Sequence, residues 1–116
     1  MTRRNESIRL RHMFDSARDA CEFSQGRTRA DLDSDRLFAW AMTHLVEVIG
    51  EAASHLSEET RRQHPEIPWS QIVGTRNRLI HGYDQIDFDI LWDVLHLDLP
   101  PLVEQLKKIV DEDSGA

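Results

Sequence analysis

One cysteine, four prolines, five glycines and no long apolar run are what this sequence has little of. The lone Cys21 excludes an internal disulfide, and its setting in "ARDACEF" predicts a small buried hydrophobe, a common use of an unpaired thiol in cytosolic proteins. So little glycine and proline leaves no composition for a disordered arm. No stretch approaches the roughly 18 apolar residues of a membrane-spanning helix, and "MTRRNESIRLRHMF" carries charge without the apolar centre of a secretion signal. These absences predict a cytoplasmic protein with no membrane contact. Positive charge is also scarce: 14 Lys and Arg stand against 21 Asp and Glu, a formal net charge of −7. The chain as a whole therefore repels nucleic acid, and any RNA contact must come from a local basic patch.

What is present reads as helix. With 116 residues there is room for one domain, taken as 1–116, and one core. From Ser7 to Ser24 the apolar residues recur at three- and four-residue spacing, and Gly26 marks the stop. Residues 27–35, "RTRADLDSD", are polar and offer N-cap candidates. "RLFAWAMTHLVEVIGEAASHL", residues 36–56, is apolar on nearly all sides and predicts the central helix, with "SEETRRQHPEIP" extending it until Pro65 and Pro68. A third helix starts near Trp69 and ends at Gly82. A fourth is capped by Asp84 or Asp87, buries Ile90, Leu91, Val94 and Leu95, and is kinked or broken by Pro100 and Pro101 before "LVEQLKKIV" resumes. "DEDSGA" reads as a frayed tail. No alternating strand pattern occurs. The prediction is all-α: an up-and-down bundle of four to five helices.

The segment "RNRLIHGY", residues 76–83, concentrates the chemistry. Its structural reading is simple, since Arg76, Arg78 and His81 lie toward a helix C-terminus where positive charge is favoured, and Gly82 suits the position after the helix. The chemical reading starts from side-chain direction. On one helix Asn77 and His81 share a face, and Arg76 and Tyr83 nearly superpose if the helix persists past Gly82, but Arg76 and His81 diverge by about 140° with about 7.5 Å of rise. Aiming both at one phosphate asks for a distorted helix end, a long Arg reach or a second copy across a two-fold axis. Histidine exchanges protons near neutral pH and guanidinium matches phosphate oxygens. RNA carries its own nucleophile in the 2′-hydroxyl, so an Arg and a His are a sufficient minimal set for cutting it without metal.

Other constellations are weaker. The six histidines, His12, His44, His55, His64, His81 and His96, fall into no zinc-binding spacing, and Asp84, Asp87, Asp89 and Asp93 read as caps and a solvated face. No phosphate loop or nucleophile elbow appears, so no metal and no cofactor is expected. Trp40, Trp69 and Trp92 read as core. Arg3, Arg4, Arg9 and Arg11 in the first helix read as a solvated face, or else join Arg76 and Arg78 in a basic patch.

Most of the chain resembles the HepT-like family of HEPN (higher eukaryote and prokaryote nucleotide-binding) domains, the toxin half of HepT/MntA toxin–antitoxin pairs. The resemblance is carried by "IGEAA" at 49–53, "HPEIPW" at 64–69, "RNRLIHGY" and "FDILWDVLHLDLPPL" at 88–102. The family motif is R-x-x-x-x-H-x-Y with a polar residue after the Arg, and Arg76, Asn77, His81 and Tyr83 occupy it without departure. The resemblance implies an all-α homodimer whose two motifs meet in a cleft and cleave RNA without metal. It assigns proton transfer to His81, phosphate and developing charge to Arg76, and orientation to Asn77, with Arg78 a further candidate for substrate binding. It also implies a partner, a minimal nucleotidyltransferase antitoxin of the MntA type, that transfers AMP from ATP to Tyr83 and so silences the toxin. The alternative from a different class is a non-catalytic helical module, nucleotide-binding or scaffolding, that partners such a nucleotidyltransferase.

Overall fold

The computed structural model describes residues 3–81 and 85–115, and it is helical almost throughout. Helix α1 spans Arg3–Ser24, α2 Arg29–Ser34, α3 Arg36–Ser54, α4 Glu58–Gln63 and α5 Trp69–Leu79. A two-residue strand β1, Ile80–His81, pairs antiparallel with β2, Gln85–Ile86. Then α6, Phe88–Asp93, passes through a π-helical segment, Val94–Asp98, into α7, Leu99–Gly115. Taking α6 to α7 as one stretch, four longer helices form the bundle and two short ones fill its corners. Helix α1 packs against α3 and α7, and α3 also packs against α5. No helix among the described residues is long and apolar enough to cross a membrane.

Local chemistry sets the boundaries. Gly26 takes φ 74°, the left-handed conformation that ends α1. The stretch expected to be a polar connection is instead α2: Asp31 accepts the Thr28 amide at 2.7 Å at its start, and Arg29 donates to Asp89 of α6 at 2.7 Å. Arg27 closes the corner, donating to Asp35 at 2.7 Å and to Asp31 at 3.3 Å while lying 4.0 Å over the Phe38 ring. Asp35 caps α3 by accepting the Phe38 amide.

Helix α3 does not run on toward Pro65. It stops at Ser54, and Ser57 caps a separate α4 by accepting the Thr60 amide at 3.2 Å. The Ser57 amide is taken in turn by Glu6 of α1 at 2.9 Å. Burial pushes the Glu6 carboxyl up, but hydrogen bonds from Ser57 and Thr60 and the charge of Arg9 outweigh it and hold the group below the usual carboxylate range. A depressed pKa adds stability above the unfolded-state value and loses it as pH falls through the folded value. Glu6→Gln should therefore melt below wild type at pH 7, and the gap should close below about pH 4; a gap that persists in acid would mean that packing, not charge, makes the difference.

The core is continuous. Met13, Ala17 and Ala20 of α1, Met42 and Ala53 of α3, Leu91 of α6 and Leu106 of α7 are fully buried. Leu106→Ala should lower unfolding free energy by about 3 kcal/mol, read from the midpoint of urea unfolding. Trp69 is buried with its indole N–H donating to the Arg61 and His64 carbonyls, and half-buried Trp92 stacks on His96 with ring centroids 3.7 Å apart. Trp40 departs from the expectation of core packing: it is 63% exposed beside Leu37, with Arg36 lying over its ring. Cys21 is half-buried against the core, and burial pushes its thiol pKa up, which suits an inert thiol.

Pro100 and Pro101 do not break the last helix. Both lack an amide and sit in the first turn of α7, and the backbone ahead of them loosens into the π segment, where the Leu99 amide reaches back to the Val94 carbonyl. The "DEDSGA" tail, expected frayed, is helical through Gly115.

Candidate functional site

Helix α5 carries the first half of the motif, and its face pattern explains what each residue meets. Ile72, Thr75 and Leu79 recur at three and four residues and are buried. Val73, Arg76 and Asn77 line a neighbouring face that looks onto a groove of about 560 Å3. Arg78 turns to a third side, where it and Gln71 reach Asp98 of the π segment at 3.4 and 3.3 Å. The motif arginines thus divide. The side chains of Arg76 and Asn77 are exposed and make no hydrogen bond or ion pair among the described residues, whereas that of Arg78 is tied to the last helical stretch.

The motif's second half does not continue the helix. Ile80 is extended, with its amide returned to the Arg76 carbonyl, and His81 pairs with Gln85 in the short ladder. The Asp87 amide donates to the Leu79 carbonyl at 2.7 Å and closes the turn. The helical face expected to join Asn77 to His81, and the 140° separating Arg76 from His81, therefore do not apply: the helix ends three residues before Gly82. What is described of His81 is its backbone, and Gly82, Tyr83 and Asp84 lie outside the described residues. The chain instead leaves α5 at Leu79 through an extended Ile80.

The rest of the groove comes from distant sequence. Its floor is α3, with His44, Glu47, Glu51 and His55, and its far wall is α1, with Arg9 and His12. This is the largest departure in α3, which was expected to be apolar on nearly all sides. Its buried residues Phe38, Ala39, Met42, Val46, Ile49 and Ala53 keep to one face, and the opposite face is apolar at Leu37 and Trp40 and polar from His44 to His55. At Gly50 α3 lies close to α5, where a Cβ would stand in ordinary contact, 3.4 Å from the Ile72 carbonyl. Glu51 accompanies His55 at 3.6 Å.

Of the basic residues in α1, only Arg9 lines this groove. Arg11 pairs with Asp15 at 3.7 Å, and Arg3 borders a different hollow, with Glu6 and Glu59. Arg9 thus shares a groove with Arg76, while Arg78 lies on another side with Asp98. Sequence periodicity would have put Arg9 and His12 on one helical face, but nothing local says which helix that face meets. Among the described residues no three His, Cys, Asp or Glu side chains come together in a way that could hold a metal ion.

Next to the groove, and sharing His44 and Glu47 with it, lies an aromatic hollow lined by Trp40, Thr43, Ile86 and Phe88. It brings the exposed Trp40 to the groove's edge.

A family model described as "Ribonuclease HepT-like" matches residues 13–109. A protein of Methanocaldococcus jannaschii named as a "Putative RNase" is 30% identical over 107 residues, covering 92% of this chain and 98% of its own length. One of Caldanaerobacter subterraneus subsp. tengcongensis, named likewise, is 31% identical over 104 residues, 90% of this chain and 93% of its own. The "Probable ribonuclease HepT" of Thermococcus cleftensis is 33% identical over 88 residues, 76% of this chain and 80% of its own. No solved structure matches the chain.

Proposed function

Because this chain belongs to the HepT-like ribonuclease family, we propose that it is an endoribonuclease toxin that cuts RNA by attack of the 2′-hydroxyl, without metal, at a cleft between two copies. The observation that carries the reading is the exposed pair Arg76 and Asn77, turned onto a groove and without described partners, one extended step ahead of His81. An exposed guanidinium that no described carboxylate neutralises is available to phosphate.

In the proposed reaction the 2′-oxygen bonds to phosphorus and the bond to the 5′-oxygen breaks, leaving a 2′,3′-cyclic phosphate and a free 5′-hydroxyl. One imidazole takes the proton of the 2′-hydroxyl and another returns one to the leaving oxygen, so two copies of His81 supply base and acid. Arg76 holds the phosphate and the charge that grows on its oxygens, and Asn77 orients either the phosphate or the imidazole. The exposed Leu37 and Trp40 of α3 support self-association on this side, since exposed apolar side chains of this kind favour burial against a partner.

The proposal includes regulation. A minimal nucleotidyltransferase antitoxin would place AMP on Tyr83, two residues from His81, adding bulk and negative charge where the RNA phosphate must sit. Arg78, bound to Asp98, is the least placed for substrate of the motif residues.

The test is cleavage of a labelled RNA pool in excess EDTA by protein whose intact mass shows no AMP, wild type beside His81→Ala. Cleavage by wild type alone, leaving cyclic phosphate ends, is expected. An intact pool after incubation with unmodified dimer would turn the reading toward a non-catalytic nucleotide-binding partner of a nucleotidyltransferase, and equal cleavage by both proteins would point to a contaminant.

A further inference from the structure

We propose that the groove beyond Arg76 and Asn77 is a track for one strand of RNA, in which Arg9 holds a phosphate and the carboxylates of Glu47 and Glu51 select the base. The inference rests on the ribonuclease reading above and deepens it.

Three helices meet to build the track. Arg9 and His12, three apart, come from one face of α1; Glu47 and Glu51, four apart, come from α3; Arg76 and Asn77 come from α5. Because α1 and α5 both pack on α3, a guanidinium stands on each wall and two carboxylates stand between them. About 560 Å3 is the space of a small-molecule site, enough for a nucleotide or two of a single strand and not for a duplex.

The alternation of charge is what identifies the ligand. A groove meant only for phosphates would carry cations throughout, and two carboxylates on its floor would repel them. A single strand crossing the groove, however, sets successive phosphates toward its two sides and turns the base between them toward α3. Guanidinium groups on the walls suit the phosphates, and carboxylate acceptors suit the amino groups of adenine, cytosine and guanine. Uracil has no amino group to offer, so it should be disfavoured at the position over α3. The −7 net charge fits the same picture, because weak general attraction leaves selection to a few placed contacts.

Arg9 also lies near enough to Glu6 to lower its pKa, so the test removes the charge without reversing it. Binding of a 2′-O-methylated single-stranded RNA, which has no 2′-hydroxyl to attack, is measured across a salt series for wild type, Arg9→Gln and Arg62→Gln, the last on the exposed face of α4 outside the groove. Arg9→Gln should bind about five- to tenfold more weakly, with the slope of log K against log salt reduced by about 0.7, and Arg62→Gln should match wild type. Equal affinities for the two variants overturn the track. So does a loss of RNA binding by Arg9→Gln that follows a fall in oligomer mass by light scattering, which makes the groove an interface between copies. Wild type that neither binds nor cleaves RNA refutes the ribonuclease reading itself, a separate result. The base-selecting half is read from cleavage of a randomised pool: Glu47→Gln/Glu51→Gln should lose a bias against uracil that wild type shows, because an amide both donates and accepts, and an unchanged pattern overturns that half.

Discussion

Arg76→Ala should lower the single-turnover cleavage rate by about two to three powers of ten, the usual effect of removing one group that meets developing transition-state charge. The fold should hardly notice. Arg76 is exposed and bonds to nothing among the described residues, so its loss should change stability by no more than about 0.5 kcal/mol. This separates a residue that binds the reacting phosphate from one that holds the helix, since both readings were open while Arg76 was only a cation near a helix end. Arg76→Lys sharpens the test: it keeps the charge but not the planar fork, and should recover only part of the rate. Cleavage by Arg76→Ala within about threefold of wild type, with melting temperature unchanged, would remove Arg76 from the chemistry.

Adenylylation should be all-or-none in its effect. Protein carrying one AMP should show no cleavage above background, and Tyr83→Phe should cleave as wild type yet resist silencing by nucleotidyltransferase and ATP. Tyr83 is the chain's single tyrosine, which makes intact mass decisive. An AMP-sized increase that survives Tyr83→Phe would place the modification elsewhere, and full activity in the modified protein would end the idea that the AMP occupies the phosphate site.

The longer helices were legible because each buries a stripe at helical spacing. Leu10, Met13, Ala17 and Ala20 in α1 and Ile72, Thr75 and Leu79 in α5 announce their faces without help from the rest of the chain. What was not legible depends on partners far away in sequence. Helix α2 is too short and polar to show a stripe, and one of the bonds that hold it reaches Asp89, sixty residues on. The end of α5 was misplaced for the same reason: Gly82 is a local stop signal, but Ile80 and His81 leave the helix to pair with Ile86 and Gln85.

The site divides along the same line. Its motif half, Arg76 and Asn77, is a matter of spacing within one helix and could be named from sequence. Its groove half is tertiary. Arg9 was one of four equivalent arginines until the packing of α1 on α3 singled it out, and the wet face of α3 was hidden in a stretch that reads as apolar on nearly all sides. Trp40 was misread in the same way, since its aromatic ring says core while its position on α3 says surface.

The packing of α1 against both α3 and α7 has a consequence during synthesis. A ribosome delivers α1, α3 and α5 well before α7, yet the apolar side of α1 finds part of its cover only when α7 emerges. Until then the helix bearing Arg9 is held by fewer neighbours, and the groove has one loosely seated wall. A nascent chain can thus display the whole Arg76 motif while still lacking the assembled surface on which it would work. Under the toxin reading proposed above, this order of assembly would delay competence until α7 is in place and would give the proposed antitoxin the interval of translation in which to arrive.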